Sequence, residues 1–362
     1  MNARVAPLRG YGQQQAQVAL LGTGTVGSAV WSRLASWKDT PLDGRLSLVH
    51  VANSRFAIGN RDGLSADVGE LLMRSAPGTS SLDAVGDALS IAGTRIVIDA
   101  TASEAVAERH AQWLAGGMHV VTACKLGQGT SLARWRAIQF ARVRGNTQYG
   151  DSATVGAGLP LLRTLRELQA GGDRIHAIAG VLSGSLAWLF NHYDGKRRFS
   201  TFVRAARDAG YTEPDPRDDL SGEDVRRKLL ILSRAAGYHL EADSVQVDSL
   251  VPDALAALAH DEVDAALPVL DEPLRERYAA AYKNGERLRF IARLQTGGLA
   301  TVGLEALGAD HPLCGGAGTD NRVAIWSDRY NEQPLVIQGP GAGAVVTAAA
   351  LLDDALRIAR EA

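Results

Sequence analysis

Apolar positions in the first 150 or so residues fall into short runs separated by longer mixed stretches. Val18-Ala19-Leu20-Leu21 reads as a buried strand, followed by a glycine turn and a helical pattern through Leu34. Leu46 to Ala52 forms a second such run, Arg95-Ile96-Val97-Ile98-Asp99 a third, and His119-Val120-Val121-Thr122 a fourth. An alanine-rich helix, Glu104 to Ala115, separates the last two. Strands that alternate with helices pair in parallel, because each crossover helix carries the chain back to the same end of the sheet. The pattern therefore predicts an α/β, doubly wound, Rossmann-type sheet. Ser65 to Ser90 carries no clear period.

The pattern changes after about Ser152. Helical periods run over Leu159–Ala170, Ser200–Gly210 and Asp224–Ala236, with a strand at Ile175–Leu182. Leu288, Phe290, Ala292 and Leu294 alternate with Arg289, Ile291, Arg293 and Gln295, the period of a strand with one face buried. Leu299–Ala306, Val323–Trp326 and Leu335–Gln338 read as further strands, and Val345–Arg360 as an amphipathic helix after a glycine-rich turn. The expected division is a flexible tail (1–16), a nucleotide-binding domain (17–152), an inserted α+β domain (153–338), and a segment (339–362) that returns to the first domain.

Composition narrows the class. A chain of 362 residues with 46 % apolar content can bury a sizeable core. A formal net charge of −2 gives no basic surplus for nucleic acid or an anionic membrane. No apolar run approaches the ~20 residues that span a bilayer. The two cysteines, Cys124 and Cys314, lie far apart, and neither CxxC nor HExxH occurs. A disulfide framework and a structural zinc are both disfavoured, and a reducing cytoplasm is the expected setting.

Two segments carry chemistry. Gly22-Thr23-Gly24-Thr25-Val26-Gly27 fits G-x-G-x-x-G between a strand and a helix. The first glycine allows the tight turn, the second lets a pyrophosphate approach the backbone, and the third lets helix and strand pack closely. The free N–H groups of the helix N-terminus then bind the anion. NAD-binding folds usually place a carboxylate at the end of the second strand for the ribose 2′-hydroxyl. Here that strand runs into Asn53-Ser54-Arg55, so Asn53 and Arg55 point instead to NADP, with Arg55 on a 2′-phosphate. NAD remains a possible cofactor.

The second segment is Gly210-Tyr211-Thr212-Glu213-Pro214-Asp215-Pro216-Arg217-Asp218-Asp219-Leu220-Ser221-Gly222-Glu223-Asp224-Val225-Arg226-Arg227-Lys228. Its two prolines predict a rigid acidic loop, and Ser221 reads as the N-cap of a helix carrying Asp224 and Lys228 on one face. Spacing alone leaves that pair an ordinary exposed helix pair, contributing ~0.2–0.5 kcal/mol.

The whole string resembles the T-E-P-D-P-x-x-D-L-x-G-x-D-V-x-x-K signature of homoserine dehydrogenases. Ala153–Pro160 is similar to that family's A-T-V-G-A-G-L-P turn, Gly180–Leu186 to its G-I-x-S-G-T-L strand, and Gln338–Ala348 to its closing G-P-G-A-G turn. The likeness runs from about Gln17 onward and is nearest to the dehydrogenase half of bifunctional aspartokinase–homoserine dehydrogenases. It implies NAD(P)-dependent interconversion of L-homoserine and L-aspartate 4-semialdehyde, in threonine and methionine biosynthesis, by a homodimer. It assigns proton transfer to Lys228 or Lys125, with Asp224 beside them. Substrate contacts fall to Glu213, Asp219, Tyr211, Gly184 and Ser185, and further cofactor contacts to Thr101, Lys125 and Gly343. It also implies a monovalent cation, typically sodium, on the carbonyls of Ser152, Val155, Ala157 and Leu159. The sequence departs from the family at Ala123-Cys124, where a proline and an asparagine are usual, at Ser152 for glutamate, and at Ser185 for threonine. Two other readings compete. One is an acylating aldehyde dehydrogenase with Cys124 as nucleophile; the other is a non-catalytic NADP-sensing protein.

Overall fold

A computed structural model of the chain describes residues 15–64, 80–89 and 93–362. All but the last two residues of the expected tail (1–16) and most of the aperiodic stretch at 65–90 lie outside the described residues; Ala16 belongs to the first strand. The first sheet holds β1 (Ala16–Leu21), β2 (Leu46–Ala52), β3 (Ala57–Gly59), β4 (Arg95–Asp99), β5 (His119–Thr122) and β6 (Tyr149–Gly150), in the order β3-β2-β1-β4-β5-β6. All neighbours are parallel except β3, which folds back antiparallel on β2. This is the doubly wound Rossmann-type sheet that the first half of the sequence predicts.

Among the described residues, α1 (Thr25–Ala35), α2 (Ala84–Ala88), α3 (Glu104–Ala115) and α4 (Leu132–Gly145) accompany this sheet. Successive side chains of a strand point to opposite faces, so β1 feeds two cores. Val18 and Leu20 join Val30 of α1 and Leu351, Leu352, Ala355 and Ile358 near the C-terminus. Ala19 and Leu21 join Trp113, Leu114 and Ile138 of α3 and α4.

The helices α5 (Leu161–Ala170), α6 (Gly184–His192), α7 (Phe199–Asp208), α8 (Pro216–Leu220), α9 (Glu223–Ala235) and α10 (Asp271–Lys283) belong to the second half. Its sheet comprises β7 (Ile175–Val181), β8 (Val245–Val247), β9 (Glu286–Leu294), β10 (Ala300–Gly308), β11 (Asp320–Ser327) and β12 (Leu335–Pro340), ordered β12-β11-β7-β9-β10-β8. Only β8 runs parallel to its neighbour. The last helix, α11 (Ala344–Glu361), leaves this sheet and packs against α1 and the first one.

Several elements escape the hydrophobic pattern. The strands β3, β6 and β8 have two or three residues, too few to show a period. On α4 the apolar residues are spread around the axis, so Leu132, Ile138 and Ala141 are buried while Phe140 and Val143 stand exposed. The alternation along β9 is not half-buried as expected, because Arg289 and Ile291 are buried too. A second layer containing Leu313, Cys314 and Ala187 of α6 covers that face. The buried Arg289 guanidinium is satisfied by carbonyls, donating to Phe190 O at 2.9 Å and Leu288 O at 2.8 Å.

The α3–α4 crossing is a backbone contact. A Cβ at Gly145 would lie 1.8 Å from Leu114 O, whereas one at Gly86 in α2 would meet nothing within 4 Å. Gly145→Ala should therefore lower unfolding free energy by about 1–3 kcal/mol through overpacking. Gly86→Ala should raise it by about 0.5–1 kcal/mol through helix entropy. Urea denaturation of the two variants side by side checks the pair of signs.

Candidate active site

The C-terminal ends of the central parallel strands set the floor of the site. Leu21 lies opposite Asp99, and Asp99 opposite Thr122, so the segments that leave β1, β4 and β5 emerge side by side. Gly22 turns there with φ +98°, and a Cβ on it would meet Ala100 O at 2.7 Å and Thr101 Cγ2 at 3.0 Å. A Cβ on Gly27 would lie 1.9 Å from Gly22 O, so the third glycine is needed for the first turn of α1 to close on the loop. Gly24 differs: a Cβ there meets nothing within 4 Å. It is also the N-cap of α1 and supplies no side-chain cap, so the first N–H groups of α1 have no capping side chain. That cradle fits a pyrophosphate.

Asn53 holds the end of β2 to this turn. Its Nδ2 donates to Thr23 Oγ1 at 2.9 Å, and its Oδ1 accepts from the backbone N–H groups of Arg55 and Phe56 at 2.9 and 2.8 Å. The Arg55 guanidinium lies over the Phe56 ring, 5.5 Å from its centroid, and no ion pair engages it among the described residues.

Beneath the loops is a buried polar chain with no counterpart in the sequence reading. Asp99, fully buried, accepts at Oδ1 from Thr101 N–H (2.9 Å) and Thr101 Oγ1 (2.6 Å), and at Oδ2 from Thr122 Oγ1 (3.2 Å). His110 Nε2 lies 3.0 Å from Asp99 Oδ2, and His110 Nδ1 2.9 Å from Tyr149 Oη. Thr122 Oγ1 also accepts from Cys124 N–H at 2.8 Å. One carboxylate thus fixes both Thr101 and the start of the Lys125 loop. Cys124 is 3 % exposed, and burial, reinforced by the Asp99 charge, pushes its thiol up to about 12. At neutral pH it is no thiolate nucleophile.

The acidic segment folds differently from its sequence reading. Pro216 opens a helical turn, α8, whose N-cap Asp215 accepts from Arg217 N–H. Ser221 is the C-cap of that turn and not the N-cap of α9. Gly222, left-handed at φ +77°, occupies the N-cap instead, and its missing Cβ clears Phe290 Cζ, which would be 2.9 Å away. The proline-plus-aspartate pair starts a helix here because proline pre-sets the first helical φ while aspartate caps it.

On α9, Asp224 and Lys228 do share a face, and Lys125 reaches them from the first half of the chain. Lys228 Nζ lies 2.8 Å from Asp224 Oδ2, and Lys125 Nζ 3.3 Å from Asp224 Oδ1. Burial alone would raise the Asp224 carboxyl. The Lys228 and Lys125 ammoniums outweigh it and hold the group at about 2. Lys228 also donates to Leu182 O at 2.8 Å. An ammonium has three donors, so one proton of Lys228 remains for a further acceptor.

Leu182 ends the stretch after β7, and Ser183 caps α6 by accepting from Leu186 N–H. Gly184 begins α6, and Ser185 Oγ donates to Asp219 Oδ1 at 2.6 Å. Asp219 Oδ2 accepts from Glu213 N–H at 2.8 Å, and burial pushes its carboxyl up. Asp219 therefore ties α6, α8 and the Glu213 loop together. The Glu213 carboxylate itself is exposed, with no paired cation among the described residues. Tyr211, 45 % exposed, packs its ring against Trp188 at 5.6 Å between centroids. Glu213, Asp219, Tyr211, Gly184 and Ser185 thus come together, next to the Lys228 partner Leu182.

The turn at 152–159 lies beside α11. Ser152 donates from N–H and Oγ to Asp354 at 2.9 and 3.0 Å, so its side chain is engaged. Gly156 and Ala157 are successive left-handed residues, φ +72° and +52°, an unusual conformation for alanine. A Cβ on Gly158 would meet Val346 Cγ1 at 2.7 Å. Gly343, φ +124°, is the N-cap of α11 and opens onto unfilled space. Among the described residues no cluster of His, Cys, Asp or Glu could hold a metal, and no helix is long and apolar enough to cross a membrane.

Comparison with known proteins agrees with this geometry. The family model for homoserine dehydrogenase matches residues 160–356, and that for the homoserine dehydrogenase NAD binding domain matches 22–144. The homoserine dehydrogenase of Schizosaccharomyces pombe is 36 % identical, over 94 % of this chain and 94 % of its own length. Bifunctional aspartokinase/homoserine dehydrogenase 2 of Escherichia coli is 38 % identical over 95 % of this chain. The chain spans only 43 % of that protein's length, as it spans a minor part of the other bifunctional relatives it matches. A solved hyperthermophilic archaeal homoserine dehydrogenase mutant, in complex with NADPH, shares the fold with a TM-score of 0.74 at 20 % identity, covering 96 % of this chain and 98 % of its own. The chain belongs to the homoserine dehydrogenase family.

Proposed function

We propose that the protein interconverts L-homoserine and L-aspartate 4-semialdehyde, with NADP as the preferred nicotinamide cofactor, in the aspartate pathway to threonine and methionine. The observation that carries this reading is the placement of Lys125, Asp224 and Lys228 at one carboxylate, beside the loops that leave β1, β4 and β5. The division into domains at 17–152, 153–338 and 339–362 belongs to the same reading.

The cofactor supplies the hydride donor or acceptor; the chain supplies binding, orientation and the proton. Gly22, Thr23, Gly24, Thr25, Val26 and Gly27 form the pyrophosphate cradle, with Thr101 and Gly343 lining it. Asn53 shapes the end of β2, and Arg55 meets the 2′-phosphate. Glu213 takes the α-ammonium of the substrate, for which its free carboxylate is suited. Asp219, Ser185, Gly184 and Tyr211 shape the pocket around it. Lys228 points its remaining proton at the substrate oxygen, giving it up as the aldehyde is reduced and taking it back as the alcohol is oxidised. Asp224 orients Lys228 and Lys125 alike, and Lys125 is the second candidate for the proton.

The carbonyls of Ser152, Val155, Ala157 and Leu159 are proposed to hold a monovalent cation, sodium by preference. The left-handed pair at 156–157 supports this, since it is the kind of turn that lets carbonyls converge. We read the assembly as a cytoplasmic homodimer pairing through the second sheet, whose edge strand β12 carries the part-exposed Leu335, Val336 and Ile337.

Three variants test the assignments. Lys228→Ala should cut turnover of homoserine by about 10²–10⁴ while NADPH binding stays within a few-fold. Near-normal turnover would move the proton step to Lys125. Arg55→Ala should raise KM for NADPH far more than KM for NADH, and equal effects would remove the 2′-phosphate role. Cys124→Ser should leave most activity intact, whereas an acylating aldehyde dehydrogenase would lose all of it. Spectrophotometric assay of nicotinamide oxidation and reduction serves for all three.

A further inference from the structure

Lys125 reaches Asp224 across a seam between the two halves of the chain, and a buried arginine sits in that seam. Arg234, near the end of α9, is 3 % exposed. Its Nη1 donates to Gln128 O at 2.5 Å, and its Nη2 to Thr130 O at 2.7 Å and Leu240 O at 2.8 Å. Its Nε also donates to Leu240 O, at 3.3 Å. Two of these three carbonyls belong to the loop that begins at Lys125. The third belongs to the segment just after α9. Among the described residues no carboxylate hydrogen-bonds to the guanidinium, and burial, only partly offset by the Glu241 charge, pulls its pKa down to about 10, still charged at neutral pH.

The seam is tight on both sides of that guanidinium. Gly129 N–H donates to Lys125 O at 2.6 Å, closing the loop into a turn. A Cβ on Gly129 would lie 2.8 Å from Lys125 O and 3.0 Å from Arg227 O, so the turn rests on the α9 backbone one residue before Lys228. Beyond the loop, Leu132 N–H donates to Glu241 Oε2 at 3.0 Å, next to the Leu240 carbonyl that Arg234 also holds. The same helix therefore presents Asp224 to Lys125 and, from Arg234, anchors the backbone on which Lys125 is carried.

We infer that Arg234 is a positioning residue, setting the Lys125 loop against α9 so that both lysines meet Asp224; this rests on the functional reading above. Only a planar fork with donors on several nitrogens spans acceptors at 128, 130 and 240 together. A lysine would satisfy one or two and leave the others buried and unpaired, which is costly.

The test compares wild type, Arg234→Lys and Arg234→Met as full chains. It measures kcat and KM for homoserine, NADPH affinity by fluorescence, and hydrogen exchange across 125–131. For Arg234→Met, kcat should fall about ten- to hundredfold, the cost of a small misplacement, with NADPH affinity within about threefold. Exchange in the loop should quicken, added guanidinium should restore part of kcat, and Arg234→Lys should fall between. A folded Arg234→Met with kcat within about twofold of wild type, or a loss that tracks NADPH binding alone, overturns the inference. Should Arg234→Met fail to fold, Gly129→Ala strains the same seam from the loop side and is judged by the same split. A wild-type chain inert toward homoserine sinks the functional reading instead. In that event unchanged loop exchange in Arg234→Met still overturns the role given to Arg234.

Discussion

A single carboxylate, Asp224, joins lysines from the two halves of this protein at the site proposed for its chemistry. It is neutralised from two directions: by Lys228, one helical turn away on its own helix, and by Lys125, which comes from the nucleotide-binding half. Lose the carboxylate, and two ammoniums would face each other across a narrow gap. Like charges at that range repel strongly wherever water is partly excluded. The seam between the two halves is thus held at this point by one carboxylate and two ammoniums.

The rest of the architecture serves that contact. The parallel sheet brings three strand ends level, so that a glycine turn, a threonine and a lysine loop emerge together. The buried Asp99 fixes two of those segments from below, and Asp219 plays the equivalent part in the second half, gathering α6, α8 and the Glu213 loop. Asp99 and Asp219 thus act on geometry within their own halves, while Asp224 spans the two. Hydrogen bonds to a charged group are among the stronger ones, so these anchors hold their loops firmly.

What the sequence made legible, and what it concealed, follows from where each function resides. The glycine turn was readable because its work requires the absence of side chains at set intervals, which leaves a visible pattern. The acidic string was readable because it is long and its residue types are constrained one by one. The capping of α9 was misread, since Ser221 looks like a cap and Gly222 does not. Only the three-dimensional course, with Pro216 starting a turn of its own, puts the serine at the end of one helix and the glycine at the start of the next. The Leu182 carbonyl that holds Lys228 left no trace, because a backbone group carries no residue-specific signature. Arg289 on β9 looked solvent-facing for a related reason: whether the far side of a sheet is covered depends on distant segments such as Leu313 and Cys314.

The return of α11 to the first sheet has a bearing on biogenesis. One face of β1, with Val18 and Leu20, and Val30 of α1 are covered by residues more than three hundred positions downstream, among them Leu351, Leu352 and Ile358. During synthesis that apolar face is made some three hundred residues before its partner exists. The intervening α+β half, by contrast, closes its own core without α11. The central half therefore has all the residues of its core before the first sheet has all of its own. The nucleotide-binding half keeps one apolar face uncovered until α11 docks, the kind of surface through which partly folded chains associate.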